Sequence, residues 1–361
     1  MTTDALPVAN ELAYDPRLLN VAKVIMASKD AHGYGVISQA IPDGLRHAGA
    51  NMLEMRALTW DLRLAISTPM GWLAPGDGVQ EDLCLHTMYD ADLLPDEWVR
   101  IVNLMGLVWV PSRWCEETFR QSGVTRPIMV EGYGINPEEF GYQKRGWLAG
   151  EPESMRNAQY TFVTVVAGWG ERKNPDAVCE AFVKADMPDA KLVLKMKDGG
   201  RAFTSAQISN RNIEWVVEEM GRGDYADLLS SVDCFVGVSS GEGYSLTPLE
   251  AMATGLPAVV LDYGGPCDYI GELGALKARV KEMEWARFYN VVFRGEGRWA
   301  VPDVWDLAEK MRWCYEHRAE AAEMGRRASV LVRERYTWAA AMSRAYGKLW
   351  GYYKDNGRTV P

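Results

Sequence analysis

The stretch SSGEGYSLTPLEAMATGLP, residues 239–257, joins a glycine-containing loop to a short helix. It follows the apolar run Asp233–Val238, which predicts a buried β-strand. Thr247 is placed to cap the helix, and Glu250 completes the sequence pattern of a capping box. Gly255 predicts a helix end in the left-handed conformation. The stretch therefore predicts strand, loop and helix in succession, which is the repeating unit of α/β proteins.

The loop between that strand and that helix is a predicted ligand site. Parallel α/β sheets bind ligands at the carboxyl ends of their strands, and free N–H groups at a helix start favour an anion such as a diphosphate. Gly241 and Gly243 let the backbone approach a ligand closely. Glu242 suits the hydroxyls or the developing positive charge of a sugar better than a phosphate. From the residues alone, a purely capping role is the favoured interpretation of Glu250, and Glu242 is open to that of a solvated loop carboxylate.

The same alternation of apolar runs and helical patterns continues on both sides of this stretch, which predicts parallel sheets. The segment Gly141–Asn157 is rich in charge, glycine and proline, and it separates two such halves. We predict an N-terminal α/β domain at residues 1–148 and a C-terminal one at residues 149–337. The last helical segment, about residues 338–361, is expected to pack back on the first domain.

Composition narrows the function classes. The chain has 361 residues and a formal net charge of -10, so a broad electrostatic attraction to nucleic acid or anionic membrane is not expected. The six cysteines and four histidines are widely spread, and their spacing predicts neither a metal site nor a disulfide framework. The N-terminus has no secretory pattern and no apolar run reaches the length of a membrane span, so we expect a cytoplasmic protein.

Residues 242–257 resemble the signature E-G-[FY]-[GS]-L-x-x-L-E-A-[MA]-A-x-G-x-P of the family 4 retaining glycosyltransferases. The resemblance implies the GT-B fold, with two Rossmann-like domains whose parallel sheets face a cleft. It implies that Glu242 contacts the transferred sugar and that Glu250 bonds the ribose of a nucleotide. The donor diphosphate and sugar are then expected to meet the chain at five consecutive residues: Gly243, Tyr244, Ser245, Leu246 and Thr247. Ser245 stands where glycine is commoner in that family.

Two other segments fit the same resemblance. Arg172 and Lys173 follow the apolar run Tyr160–Ala167, and adjacent cations at such a turn provide fixed positive charge for a diphosphate. The turn resembles the R-K-[NG] turn of that family, in which the lysine binds the donor diphosphate. Gly33 and Gly35 fit the glycine-rich first loop near the donor, although an ordinary turn is the plainer interpretation.

A pair of polar residues near Leu85 is a candidate for catalysis. His86 or Asp90 is positioned to contact the reacting sugar or the acceptor, whereas a lone histidine on a strand is more often structural. Asp90 and Asp92 form a D-x-D pattern, which we interpret as a helix-capping loop because the GT-B architecture needs no metal there.

The sequence thus predicts a retaining, metal-independent glycosyltransferase that uses a UDP- or GDP-sugar as co-substrate and needs no cofactor. A sugar-nucleotide epimerase or hydrolase and a non-catalytic nucleotide-sugar-binding protein are the alternatives. The acceptor stays open between a glycan, a lipid, a small molecule and a modified nucleic acid.

Overall fold

The computed structural model describes residues 18–26, 34–53, 60–68, 79–155, 159–166, 170–196, 212–288, 291–292 and 297–355. Within these ranges the chain forms two six-stranded sheets in which all paired strands run parallel. The predicted α/β class with two parallel sheets is therefore confirmed.

The first sheet has the strand order β2-β1-β3-β4-β5-β6. Its strands are β1 (Asn20–Met26), β2 (Asn51–Leu53), β3 (Leu62–Ile66), β4 (Gln80–His86), β5 (Met105–Val110) and β6 (Ile128–Val130). Helices α1 (Tyr34–His47), α2 (Asp96–Val102) and α3 (Arg113–Gln121) follow strands of this sheet. All six residues of β5 are buried, as expected for a central parallel strand covered on both faces.

The second sheet has the order β12-β11-β10-β7-β8-β9. Its strands are β7 (Tyr160–Val166), β8 (Ala190–Met196), β9 (Ile213–Val217), β10 (Cys234–Gly237), β11 (Ala258–Leu261) and β12 (Leu276–Ala278). Its helices are α4 (Pro175–Ala185), α5 (Arg222–Ser231), α6 (Thr247–Ala253), α7 (Cys267–Ile270), α8 (Val304–Glu316) and α9 (Arg318–Arg335). The predicted domain division at 148/149 falls in the connection between β6 and β7 and stays a prediction.

Short antiparallel strands between β12 and α8 were not anticipated from the sequence. They are β13 (Val280–Trp285), β14 (Arg287–Phe288), β15 (Val291–Val292) and β16 (Arg298–Pro302). β13 pairs with β16 and β14 with β15. This hairpin reaches the first domain, where Arg298 forms an ion pair with Asp92 at 3.0 Å.

The C-terminal helix α10 (Trp338–Asp355) returns to the first domain, as predicted. It packs so closely on α1 that a Cβ on Gly44 would lie 2.3 Å from Cγ of Met342. Its Arg344 and Lys348 side chains pair with the buried carboxylate of Glu131 at 2.9 and 2.8 Å. Thr337, directly before α10, forms a parallel β-bridge with Ile135, which lies in the connection between β6 and β7.

Arg145, in the connection between the sheets, closes the ends of two helices. Its guanidinium donates to the carbonyls of Ser230 and Val232 at the end of α5, and to the carbonyl of Thr254 directly after α6, each at 2.8 Å. The carbonyl of Thr254 also accepts from the N–H of Gln143 at 2.9 Å. The last carbonyls of a helix have no partner within the helix. A buried arginine therefore satisfies them here.

Candidate active site

The candidate site lies where the second sheet reverses its strand order. β7 and β10 are neighbours, and the chain leaves them toward opposite edges of the sheet. Ligands of open α/β sheets bind in the crevice at such a switch point. The turn Gly170–Lys173 follows β7, and the loop after β10 begins at Val238. The topology thus brings together two segments singled out in the sequence.

Two cations and one carboxylate form the centre of this site. Lys173 donates through Nζ to Oε1 of Glu242, and Arg172 places Nη1 3.0 Å from the same oxygen. Arg172 also donates to the carbonyl oxygen of Gly241. The side chains of the three charged residues are each about one-tenth exposed, at 9%, 11% and 11%. The cluster is therefore largely shielded from water. Charges interact more strongly in such a setting than in water.

The charge states in this cluster follow from its geometry. Burial raises the pKa of Glu242, but the charges of Arg172 and Lys173 outweigh burial and lower this pKa to about 2. Burial lowers the pKa of Arg172, and the carboxylates of Asp90 and Glu242 raise it above its usual value. Glu242 is consequently an anion at neutral pH and is suited to accept hydrogen bonds rather than to donate a proton.

Asp90 brings the first domain into this cluster. Its Oδ1 accepts from the backbone N–H of Gly243 at 2.9 Å, and its Oδ2 lies 3.4 Å from Nη2 of Arg172. Burial raises the pKa of Asp90, and Arg172 offsets only part of this rise. The interpretation of Asp90 and Asp92 as a helix-capping loop is wrong, because both carboxylates bond residues of the second domain, Asp92 through Arg298.

Both backbone polar groups of Gly243 are hydrogen-bonded to residues of the first domain. Besides the bond from its N–H to Asp90, its carbonyl accepts from Oγ of Ser112 at 2.7 Å. Ser112 is also the N-cap of α3, where its Oγ accepts from the N–H of Cys115. A Cβ on Gly243 would lie 2.7 Å from Cβ of Met88. Glycine is therefore required by the close approach of the first domain.

Glu250 has a different role from the one predicted locally. Residue Leu246 occupies the N-cap position of α6 without a side-chain cap bond, so the expected capping box of Thr247 and Glu250 is wrong. The carboxylate of Glu250 is 3% exposed and pairs through Oε1 with Nη1 of Arg222 at 2.9 Å. The predicted left-handed end of α6 is confirmed, with φ +91° at Gly255.

Two residues of the predicted donor segment, Tyr244 and Ser245, are held by hydrogen bonds of tyrosine hydroxyls. The hydroxyl of Tyr244 donates to the carbonyl of Tyr133 at 3.1 Å. The hydroxyl of Tyr269 donates to the carbonyl of Ser245 at 2.6 Å. Ser245 has φ +67°, a left-handed conformation that costs a residue with a side chain about 1–2 kcal/mol. The glycine more usual at this place would adopt it without that cost.

His86 lies apart from the charged cluster. It is fully buried, its Nε2 is 2.8 Å from the hydroxyl of Tyr133, and its ring meets the edge of Trp109 at 4.7 Å between centroids. Burial lowers the pKa of His86 to about 3, so the imidazole is neutral at pH 7. Its predicted catalytic role stays a prediction.

A pocket opens at the carboxyl ends of β7, β10 and β11. Its lining includes Lys173, Glu242, Ser245, Thr247 and Tyr263. Four of these were chosen from the sequence as donor-binding or catalytic residues. They line one pocket although they come from two separate loops.

The first-loop glycines, metal-ligand groups and membrane-spanning helices are the remaining features considered in the sequence. Gly33 lies outside the described residues, and Gly35 is in the first turn of α1. Within the described ranges, no three acidic, histidine or cysteine side chains are grouped as metal ligands. In the same ranges no helix has both the length and the apolar character to cross a bilayer.

Sequence reasoning missed three residues that support the site. Asn174 has φ 51° and donates from Nδ2 to the carbonyl of Val238 at 2.7 Å, which holds the loop after β10. Arg222 and Glu139 pair at 2.7 Å beside Glu250. Asparagine tolerates the left-handed conformation better than most residues, so its place directly after Lys173 was the one available signal.

Residues 151–286 match the family model of Glycosyl transferases group 1. This segment contains both cations and both glutamates of the candidate site. The two parallel sheets, with the charged cluster at the switch point of the second, define the class as an α/β protein of the GT-B fold. Over residues 151–286 the chain is similar to the glycosyl transferases group 1 family.

A viral protein is similar to this chain over part of its length. A candidate glycosyltransferase, number 45, of Sulfolobus islandicus filamentous virus (isolate Iceland/Hveragerdi) is 24% identical over 245 residues. That match covers 63% of this chain and 62% of the viral protein, so the chain spans less than two thirds of that relative.

Two solved structures share the fold over nearly the whole chain. Sucrose-phosphate synthase (tll1590) from Thermosynechococcus elongatus has a TM-score of 0.67 and 14% identity, with 93% of this chain and 99% of that chain covered. Anabaena Alr3699/HepE, solved in complex with UDP and glucose, has a TM-score of 0.66 and 13% identity, with 92% and 100% covered. At these identities the likeness shows the GT-B fold.

Proposed function

We propose that the protein is a retaining, metal-independent glycosyltransferase that moves a sugar from a UDP- or GDP-sugar to an acceptor hydroxyl. The observation that carries the proposal is the buried cluster of Arg172, Lys173 and Glu242 at the switch point of the second sheet. Two cations and an ionised carboxylate are the groups needed to hold a diphosphate next to a sugar. The family match over residues 151–286 and the UDP and glucose bound to Anabaena Alr3699/HepE support the same donor class.

Each charged residue has a role in this proposal. Lys173 and Arg172 bind the diphosphate, Glu250 accepts hydrogen bonds from the ribose hydroxyls, and Glu242 accepts hydrogen bonds from the sugar. Because Glu242 pairs with both cations, the diphosphate competes with this carboxylate for them. Donor binding then turns Glu242 from the cations toward the sugar.

The transfer step breaks the bond between the anomeric carbon and the diphosphate and forms one to the acceptor oxygen. The acceptor attacks on the face that the nucleotide leaves, so the configuration is retained. Arg172 and Lys173 stabilise the charge that develops on the departing diphosphate. With a pKa of about 2, Glu242 is a weak base, and the hydroxyl proton leaves with the diphosphate. Asp90 holds Arg172 and Gly243 in place during this step.

The test is a hydrolysis and transfer assay with a panel of UDP- and GDP-sugars, followed by product analysis. Glu242→Ala and Lys173→Ala are each expected to lose most activity and to keep the circular dichroism spectrum of the native protein. Lys191→Ala is the matched control, because Lys191 pairs with Glu214 on the neighbouring strand β9. Near-native turnover in either site variant would contradict the assignment. An isomerised nucleotide sugar as the product would indicate the epimerase alternative.

The acceptor is proposed only as a hydroxyl-bearing molecule. A glycan, a lipid, a small molecule and a modified nucleic acid each supply such a group. Once the panel has identified the donor, these acceptor classes can be compared in the same assay by the bond that forms.

A further inference from the structure

Arg222 joins two carboxylates at the edge of the candidate site. Its Nη1 lies 2.9 Å from Oε1 of Glu250. Its Nε donates to Oε1 of Glu139 at 2.7 Å, and its Nη2 to Oε2 of the same residue at 3.3 Å. The guanidinium also lies over the ring of Phe140, 4.8 Å from its centroid. A bidentate bond to Glu139 and the contact with the Phe140 ring therefore fix the guanidinium on one side. Its third nitrogen, Nη1, faces Glu250.

The burial of these groups makes the arrangement more than a surface ion pair. The side chain of Glu250 is 4% exposed, against 27% for Arg222 and 22% for Glu139. Burial raises the pKa of Glu250, and Arg222 offsets part of that rise. A nearly buried carboxylate next to a second carboxylate would favour the protonated form without a cation between them. Arg222 thus supplies the charge that keeps Glu250 an acceptor.

The geometry of the contact also indicates that Arg222 orients the carboxylate of Glu250. A carboxylate has acceptor positions on both of its oxygens, so the contact of Arg222 with Oε1 leaves acceptor capacity for a ligand. Rotation of the Glu250 carboxyl group is restricted because the guanidinium is itself anchored on Glu139. A group held in this way loses little conformational entropy when it binds a second partner.

We propose that Arg222, anchored by Glu139, is the positioning residue that sets Glu250 for recognition of the ribose hydroxyls and so makes the protein prefer ribonucleotides over deoxyribonucleotides. The proposal rests on the ribose role of Glu250 in the proposed function. In addition, the preference for ribonucleotides depends on Arg222, which lies outside the two loops that form the charged cluster. Glu139 belongs to the connection between β6 and β7, so the connection between the two sheets takes part in donor selection.

The test measures dissociation constants by isothermal titration calorimetry with UDP, 2′-deoxy-UDP, GDP and 2′-deoxy-GDP. The native protein is expected to bind the preferred ribonucleotide about tenfold more tightly than its deoxy form, since a hydrogen bond to a charged group is lost. In Arg222→Met this ratio falls to about one while the affinity for the deoxynucleotide changes little. Arg222→Lys keeps the charge without the two-pronged geometry, and an intermediate ratio is expected.

The possible outcomes separate the inference from the function on which it rests. Arg126→Met is the control for loss of a partly buried arginine, because Arg126 pairs with Glu81 in the first domain; its ratio should equal that of the native protein. If the native protein binds neither ribonucleotide, the donor site itself is refuted. If it binds ribo and deoxy forms equally, the ribose role of Glu250 is refuted. If Arg222→Met keeps the native ratio, the inference about Arg222 alone is overturned.

Discussion

Replacing Glu242 by glutamine separates donor binding from sugar transfer. This carboxylate pairs with Lys173 and lies 3.0 Å from Nη1 of Arg172. A diphosphate that binds these cations must first displace the carboxylate. The neutral amide keeps the shape of the side chain and removes the charge that competes with the diphosphate. We therefore expect Glu242→Gln to bind nucleoside diphosphates more tightly and to transfer sugar poorly.

The size of the effect follows from the contact distance. At 3.0 Å and an effective dielectric constant of about 20, one such pair has an attraction of about 5 kcal/mol. Most of this is offset by the cost of removing the charges from water, and the amide oxygen of glutamine still accepts a hydrogen bond. We therefore expect the substitution to improve the binding free energy of the diphosphate by about 1 kcal/mol, which is equivalent to about fivefold tighter binding of UDP or GDP.

The assay pairs calorimetry of nucleoside diphosphate binding with initial rates of sugar transfer. The turnover of Glu242→Gln should fall by about 100-fold or more, because a charged acceptor that acts on the reacting sugar is lost. Lys173→Met is the matched comparison, since it removes the cation instead of the anion and should weaken diphosphate binding. Weaker diphosphate binding in Glu242→Gln would refute the competition between Glu242 and the donor, and native turnover would refute its role in transfer.

Three further predictions concern stability. Arg145→Met removes the donor to the carbonyls of Ser230 and Val232 at the end of α5, so the free energy of unfolding in urea should fall by about 3 kcal/mol, and a loss under about 1 kcal/mol would contradict the capping role. Ser245→Gly removes the cost of φ +67° and should raise the free energy of unfolding by about 1 kcal/mol, whereas Ser245→Ala should not; equal effects of the two would exclude backbone strain as the cause. The pKa of Glu242 is lowered from 4.5 to about 2 in the folded protein, so its stabilisation is present above pH 4.5 and is lost as the pH falls through about 2. Between about pH 5 and pH 2 the native protein should thus lose stability relative to Glu242→Gln in urea titrations, and parallel profiles would contradict the lowered pKa.

The fold could be predicted because its signals are local. The buried strand β7 and the end of α6 at Gly255 each follow from a few neighbouring residues. Lys173 and Glu242 could be chosen because each lies in the loop after a predicted strand, in a segment that resembles the glycosyltransferase family. The parallel topology then brings their loops together without further information.

The partners of the charged residues could not be predicted in the same way. The spacing of Thr247 and Glu250 satisfies a capping box, yet Glu250 pairs with Arg222 from a different helix. Asp90 was a catalytic candidate and, with Asp92, was also interpreted as part of a helix-capping loop, whereas its bonds to Arg172 and Gly243 lie in the other domain. In each case a long-range ion pair in a buried setting outweighed the weaker local bond, and nothing in the sequence of one segment identifies the partner in another.

The β-bridge between Ile135 and Thr337 has a mechanical consequence. The polypeptide passes between the two halves of the molecule twice, and at this bridge the outgoing and returning passages run side by side. The N–H of Ile135 donates to the carbonyl of Tyr336 at 2.8 Å, and the N–H of Trp338 donates to the carbonyl of Ile135 at 3.2 Å. The two connections are therefore bonded to each other as well as to the two halves, so a displacement of one connection is transmitted to the other. The bonds of Asp90 and Ser112 to Gly243 join the same two halves at a second place.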